Sequence, residues 1–252
     1  MFGFTVKRGV IDMQVKKIPK NNFLILLDYI FKKCNYVSLS KHYYNNICGE
    51  DICNIILEEE KISRKDFCQK YTFEDISTLC KLYEKNDRIL LLIQPFYKNR
   101  KIITMVEIDI IHGYISLALE QFFYKYNIQI FLDKYLSEVK YVKNLYLGLE
   151  KEITPHGVEY YLEITDEIEK YIINKGYIWN FVYPYGIEDI CFLKNNQYWL
   201  KSIAHEKLCF IYCESEEEYN YLKSIGIEFC EEEYKPITEE KRKEIIVDGL
   251  KI

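Results

Sequence analysis

Glycine is scarce and scattered: the 252-residue chain holds ten, each standing alone. Phosphate-cradling loops need closely spaced glycines so that backbone N–H groups can approach the anion, and neither G-x-x-x-x-G-K-[ST] nor G-x-G-x-x-G occurs. The strained G-x-S-x-G turn that presents a hydrolase serine is missing too. Long apolar runs are also lacking. The longest, 23–27 and 89–93, are core-sized, far short of the ~20 residues that cross a bilayer, so no membrane partner is expected. No apolar segment follows Lys7 and Arg8, which predicts no secretion signal. There is no C-x-x-C among the nine cysteines, an odd number in a chain that reads as cytoplasmic, so reduced thiols are expected rather than disulfides. No Gly/Ser-rich linker, repeat or low-complexity tract breaks the sequence.

What is present is apolar and aromatic. Hydrophobic residues make up 49% and charged residues 29%, the balance of a folded chain rather than a disordered one. Tyr (24) and Phe (14) are abundant alongside Ile, Lys and Asn, a set with AT-rich codons, so base composition explains the aromatics before a binding surface does. A net charge of -5 argues against a general nucleic-acid binder. The charge is uneven: from 214 to 240 acids far outnumber the two lysines, Lys223 and Lys235, whereas the first twenty residues lean basic.

Patterning predicts an α+β fold, with a helix-rich N-terminal part and a mixed or antiparallel sheet with helices on one side in the C-terminal part. Two regions, 1–150 and 151–252, are expected, with a seam near 148–157. In the first, helices are predicted at 21–34, 51–60, 64–70, 73–84 and 114–126, with a further amphipathic candidate at 132–147. The Tyr-rich stretch 38–46 reads as loop, one or two strands fit 4–15, and 88–94 with 101–109 reads as a β-hairpin turning at Lys98-Asn99-Arg100. In the second region, a strand at 158–164 and a helix at 166–174 closed by Gly176 precede a strand at 177–183. A β-meander follows over 187–213, with 208–212 placed centrally because it is apolar on both faces. Helix 216–225 opens on Ser215, whose hydroxyl can accept from the Glu218 N–H while the Glu218 carboxylate reaches back. Gly226 ends it, a return strand follows, and a last helix begins at Thr238.

Chemistry is sparse. Cys209 and Cys213, with His205 and Cys191 nearby, suggest a zinc site. On a strand, however, residues four apart lie about 13 Å apart, too far for one ion with ~2.3 Å bonds, so no metal and no cofactor is expected. His205-Glu206 lacks the second histidine of H-E-x-x-H, since position 209 is Cys209. Glu188, Asp189, His205 and Glu206, with Trp199, could converge at one end of the meander, where carboxylates beside an imidazole do acid–base work. A hydrated turn with a packed Trp is the plainer reading. His42, His112 and His156 stand alone. The aromatics Tyr177, Trp179, Phe181, Tyr183 and Tyr185 share one parity and read as a core face rather than a base-stacking platform. The acidic tract is either a solvated helix face or a docking surface for a basic protein partner, with Glu216, Glu217, Glu231, Glu232 and Glu233 as its contacts.

The tract running from Glu188-Asp189-Ile190 through Trp199, His205-Glu206 and Tyr212 to Glu216-Glu217-Glu218-Tyr219 and 221–229 resembles uncharacterised proteins of low-GC Gram-positive bacteria, some labelled sporulation-related. The resemblance covers roughly the last quarter of the chain, implies a cytosolic bacterial protein, and carries no activity or site. The first expectation is therefore a non-enzymatic interaction protein, immunity-like or an accessory factor. The alternative is a metal-dependent or acid–base enzyme using the carboxylate and histidine cluster.

Overall fold

The computed structural model describes residues 13–44, 48–96, 105–145 and 155–250. In chain order its elements begin with strand β1 (Val15–Lys17), helix α1 (Phe23–Lys33) and strand β2 (Tyr36–His42). Helices α2 (Gly49–Glu60), α3 (Arg64–Lys70), α4 (Ile76–Tyr83), α5 (Asp87–Ile93) and α6 (Met105–Tyr135) follow. Then come β3 (Val139–Leu145), β4 (Gly157–Glu163), α7 (Asp166–Lys175), β5 (Glu188–Lys194), β6 (Gln197–Ile203) and β7 (Leu208–Ile211). The chain closes with α8 (Glu216–Ser224), β8 (Glu228–Phe229) and α9 (Glu239–Glu244). The class is α+β, as the patterning predicts.

Two compact units emerge, one of Met1–His42, Tyr135–Val182 and Ile187–Ile252, the other of Tyr43–Lys134 and Tyr183–Gly186. The first holds a six-stranded sheet in the order β3-β4-β2-β5-β6-β7, every pair antiparallel, and a separate two-stranded ribbon of β1 with β8. One sheet face meets α1 and α8: Phe31 lies 6.3 Å from Phe192, ring to ring, and Tyr29 lies 5.8 Å from Trp199. The stripe Phe23, Leu26, Leu27 and Ile30 of α1 is buried, each side chain contributing about 1.5–3 kcal/mol through removal from water. The other face packs Tyr161, Cys191, Leu193 and Tyr198 beneath Ile245, Val247 and Leu250.

The second unit is helical. Ile52, Ile56, Phe67, Leu79, Ile89, Ile115, Leu119 and Phe122 pack into one core. Ser63 caps α3 by accepting from the Asp66 N–H at 3.2 Å, and Thr72 with Asp75 forms the reciprocal box before α4.

Several expected elements take other forms. The hairpin at 88–109 is absent where it can be seen: 87–93 is helix α5 and α6 begins at Met105, while Lys98-Asn99-Arg100 lies outside the described residues. Asn86 explains the helix, since its side chain accepts from the Arg88 and Ile89 N–H groups at 3.1 and 3.2 Å. The loop expected at 38–46 is strand β2 through His42, and the helix expected at 132–147 ends at Tyr135 and gives way to β3. Instead of a strand, 177–183 holds a 3-10 turn at Ile178–Asn180. Its aromatics therefore share no strand face: Tyr177 stands edge-on to Phe23 at 5.6 Å and Phe181 to Tyr171 at 6.2 Å. Strand β7 is last in the sheet, not central, and the Ile211 N–H donates to the Met13 carbonyl beyond it at 3.1 Å. Cys209 and Ile211 on one face are fully buried and Leu208 and Phe210 on the other are half-buried, so its apolar character does not mark a central position. The return strand β8 pairs with β1, outside the large sheet. The expected seam at 148–157 lies mostly outside the described residues, and the strands flanking it, β3 and β4, pair with each other. Most of the strands expected at 4–15 also fall outside.

Candidate functional site: a carboxylate flanked by imidazoles and an acidic edge

Asp189 opens β5 with φ +51°, a left-handed conformation that Asp tolerates better than most residues. Its Oδ1 accepts the Ala204 N–H at 2.7 Å, which fixes the carboxylate against the turn between β6 and β7. His205, on that turn, brings Nδ1 to 3.9 Å from Asp189 Oδ1, and its Nε2 lies 3.8 Å from Glu206 Oε1. From the other side, His42 at the end of β2 places Nε2 3.5 Å from Asp189 Oδ2. These are ion-pair separations rather than tight hydrogen bonds. His156 stacks on His42, ring centroids 5.6 Å apart, because β2 and β4 pair His42 with Gly157. A side chain at Gly157 would meet the Lys41 carbonyl oxygen at 2.5 Å, so the backbones approach closely there.

Burial opposes charge on His42, yet the Asp189 carboxylate, the Glu188 charge and then Glu159 outweigh it, and its pKa stands above the usual imidazole value. Three of the four residues expected to converge, Asp189, His205 and Glu206, lie in one chain of ionisable side chains. Glu188 does not join them at the surface: it is 1% exposed, on a strand position opposite Ser40. His205 and Glu206 are exposed, His205 at 53% of its side chain, as a hydrated turn requires. His42 and His156, which stood alone in the sequence, are the members that sequence reasoning missed. Their only signal is strand register, set by residues more than a hundred positions apart.

Trp199 belongs elsewhere. Its Nε1 donates to Glu218 Oε1 at 3.0 Å, where the Tyr29 hydroxyl also donates at 2.9 Å and Lys33 Nζ lies at 2.7 Å. The Ser215 cap forms as expected, its hydroxyl accepting from the Glu218 N–H at 3.2 Å. The carboxylate, however, reaches past Ser215 and accepts the Glu214 N–H at 2.6 Å. Burial, together with Glu218, pushes the Tyr29 hydroxyl up to about 12. Lys33 remains charged despite its burial because Glu214 and Glu218 hold its pKa above the usual value. Glu214 is in turn bound by Lys194 at 2.9 Å. Glu214, exposed just before α8, and the buried Glu218 are thus compensated by cations.

The outer acids are not arranged that way. Glu216 and Glu217 are exposed in the first turn of α8, and Glu232 and Glu233 are exposed beyond β8, with Glu231 half-buried between them. The Tyr219 hydroxyl donates to the Glu231 carbonyl at 2.7 Å and Lys223 Nζ to the Glu232 carbonyl at 3.2 Å, so 231–233 folds back against α8. Phe229 and Tyr234 flank the Tyr219 ring at 4.7 and 6.1 Å. Of the five carboxylates, Glu231 pairs with Lys235 at 3.0 Å. The Ser215 hydroxyl and its own backbone N–H hold Glu217 below the usual carboxylate range. A cleft of about 240 Å³ opens beside this edge, lined by Gln197, Cys213, Glu214, Tyr234, Arg242 and Ile245 among others.

Among the described residues, no three His, Cys, Asp or Glu side chains gather in an arrangement that holds a metal ion, and no helix is long and apolar enough to cross a membrane. None of the nine cysteines is in a disulfide. Comparison of the chain with protein-family models, with curated proteins and with solved structures gave no match.

Proposed function

We propose that the chain is a cytoplasmic, non-enzymatic binding protein that docks a basic protein partner on the edge formed by α8 and 231–233. The observation that carries this reading is the contrast between two sets of acids in and around α8. Glu214 and Glu218 are matched internally by Lys33 and Lys194, whereas Glu216, Glu217, Glu232 and Glu233 face water on a backbone that Tyr219 and Lys223 hold in place. A preorganised surface of one sign speeds encounter with an oppositely charged partner and costs little ordering on binding. Nine cysteines without a disulfide suit a reducing compartment. An immunity-like or accessory role fits such a surface.

The test is affinity capture on the immobilised chain and on a variant carrying Glu216→Lys, Glu217→Lys, Glu232→Lys and Glu233→Lys. The wild type is expected to retain a basic protein that the folded variant loses. Equal recovery on both would sink the proposal.

A second reading rests on Asp189, held at positive φ between two imidazoles. Such a set can relay a proton, His205 being the exposed member. Under this reading, hydrolysis of nitrophenyl phosphate or acetate would follow a pH profile that Asp189→Asn removes. No turnover above buffer would end it.

A further inference from the structure

The helical unit carries a second cluster that the docking reading leaves unused. On α4, Ser77 and Cys80 recur at helical spacing, with Glu84 just past the end of the helix; on α6, His112, Gly113, Ser116 and Glu120 do the same. Between the two runs lies a cleft of about 350 Å³, lined by Phe73, Ile76, Ser77, Cys80, His112, Gly113, Ser116 and Glu120. That volume falls at the small end of organic-ligand sites. His112 and Gly113 are interior to α6.

The polar groups are ordered. His112 Nε2 lies 2.6 Å from Glu84 Oε2, and the Ser116 hydroxyl donates to Glu120 Oε1 at 3.0 Å. The Cys80 thiol points to the His112 carbonyl at 3.6 Å, and burial, with the Glu120 charge, pushes it up to about 11, so it stays a neutral wall. Glu84 is answered by His112, whereas Glu120 accepts from the neutral Ser116 hydroxyl and, among the described residues that line the cleft, no lysine or arginine faces it. Whether His112 is protonated or not, the cleft holds an excess of negative charge. Phe73 and Ile76 supply an apolar wall, and an aromatic face attracts a cation as well.

We propose that this cleft binds a small aliphatic amine cation, its ammonium on Glu120 and its methylene chain along Phe73 and Ile76. The ammonium donates to the carboxylate, the hydroxyls of Ser77 and Ser116 accept further N–H groups, and the stem covers apolar surface. An anion meets the Glu120 carboxylate in the same space and is rejected. A neutral alcohol keeps the shape but forfeits the charge. This assignment is independent of the acidic edge on α8.

The experiment is calorimetric titration of the full chain with 1,4-diaminobutane, with 1,4-butanediol and butyrate as neutral and anionic controls. The diamine is expected to bind at least about tenfold more tightly than the diol, with butyrate silent. Glu120→Gln is expected to weaken the diamine by roughly tenfold. Gly113→Leu supplies a second variant that does not depend on charge. An added Cβ there meets nothing within 4 Å, so the side chain enters the cleft without disturbing the helix and binding is lost. Diol binding equal to the diamine, no diamine binding at millimolar concentration, or wild-type affinity in both folded variants overturns the proposal.

Discussion

Glu218 is the residue at which burial and charge meet most sharply. Its carboxylate is 5% exposed and accepts from Tyr29, Trp199 and the Glu214 N–H, with Lys33 beside it at 2.7 Å. Removing one partner of such a group leaves the others desolvated and unsatisfied, which costs more than the bond itself contributed. Glu218→Ala is expected to lower stability by about 3–5 kcal/mol in urea unfolding. A loss under about 1 kcal/mol would show that the hub carries no such weight. His42 makes a different prediction. Its folded pKa is raised, so folding favours the protonated imidazole. The resulting stabilisation is complete below the unfolded value of about 6.5 and disappears as pH rises through the higher folded value. The stability gap between wild type and His42→Asn is therefore expected to be widest near pH ~5.5 and to narrow by pH ~9. A gap that widens with pH reverses the sign and removes the Asp189–His42 contact as its cause.

At the level of elements, α8 rests on its cap. Ser215→Ala deletes the acceptor for the Glu218 N–H and is expected to cost about 1 kcal/mol, with a matching fall in the thermal midpoint. An unchanged midpoint contradicts the cap. This helix was legible because its signals are local: a serine, three acids, an apolar stripe and a terminal glycine lie within a dozen residues. Helix α3 was legible from its Ser63 cap and α7 from Gly176, which closes it at φ +74° as its position predicts, whereas α1 was legible from its apolar stripe. Strand β2 was not legible. Val37 and Leu39 alternate with Ser38 and Ser40, but both serines are buried, so polarity does not mark a solvent side. Ser38 donates to the buried Glu159 at 2.6 Å, a partner 121 residues away that local pattern cannot supply. Helix α5 was misread because Ile89-Leu90-Leu91-Leu92-Ile93 is apolar without a period, and only the capping by Asn86 distinguishes it from a strand.

For the molecule as a whole, class and candidate residues were read with different success because they depend on different distances along the chain. The antiparallel order β4-β2-β5 interleaves segments far apart in sequence, and it is this order that brings His42, His156 and Asp189 together. The acidic edge was visible in composition alone, because Glu216, Glu217 and Glu231–Glu233 need only be outside. What composition could not reveal is that Tyr219 and Lys223 fasten 231–233 to α8, or that Glu214 and Glu218 have cations of their own. A fixed negative surface makes association depend on ionic strength, since salt screens charges separated by more than ~10 Å at 0.1 M. The most direct measurement is stopped-flow association of the chain with its captured partner as salt rises from about 0.05 to about 0.5 M. The account predicts a wild-type rate that falls at least ~10-fold across that range and a charge-reversed variant that is slow throughout. A wild-type rate indifferent to salt, or a variant that associates as fast as the wild type, would contradict it.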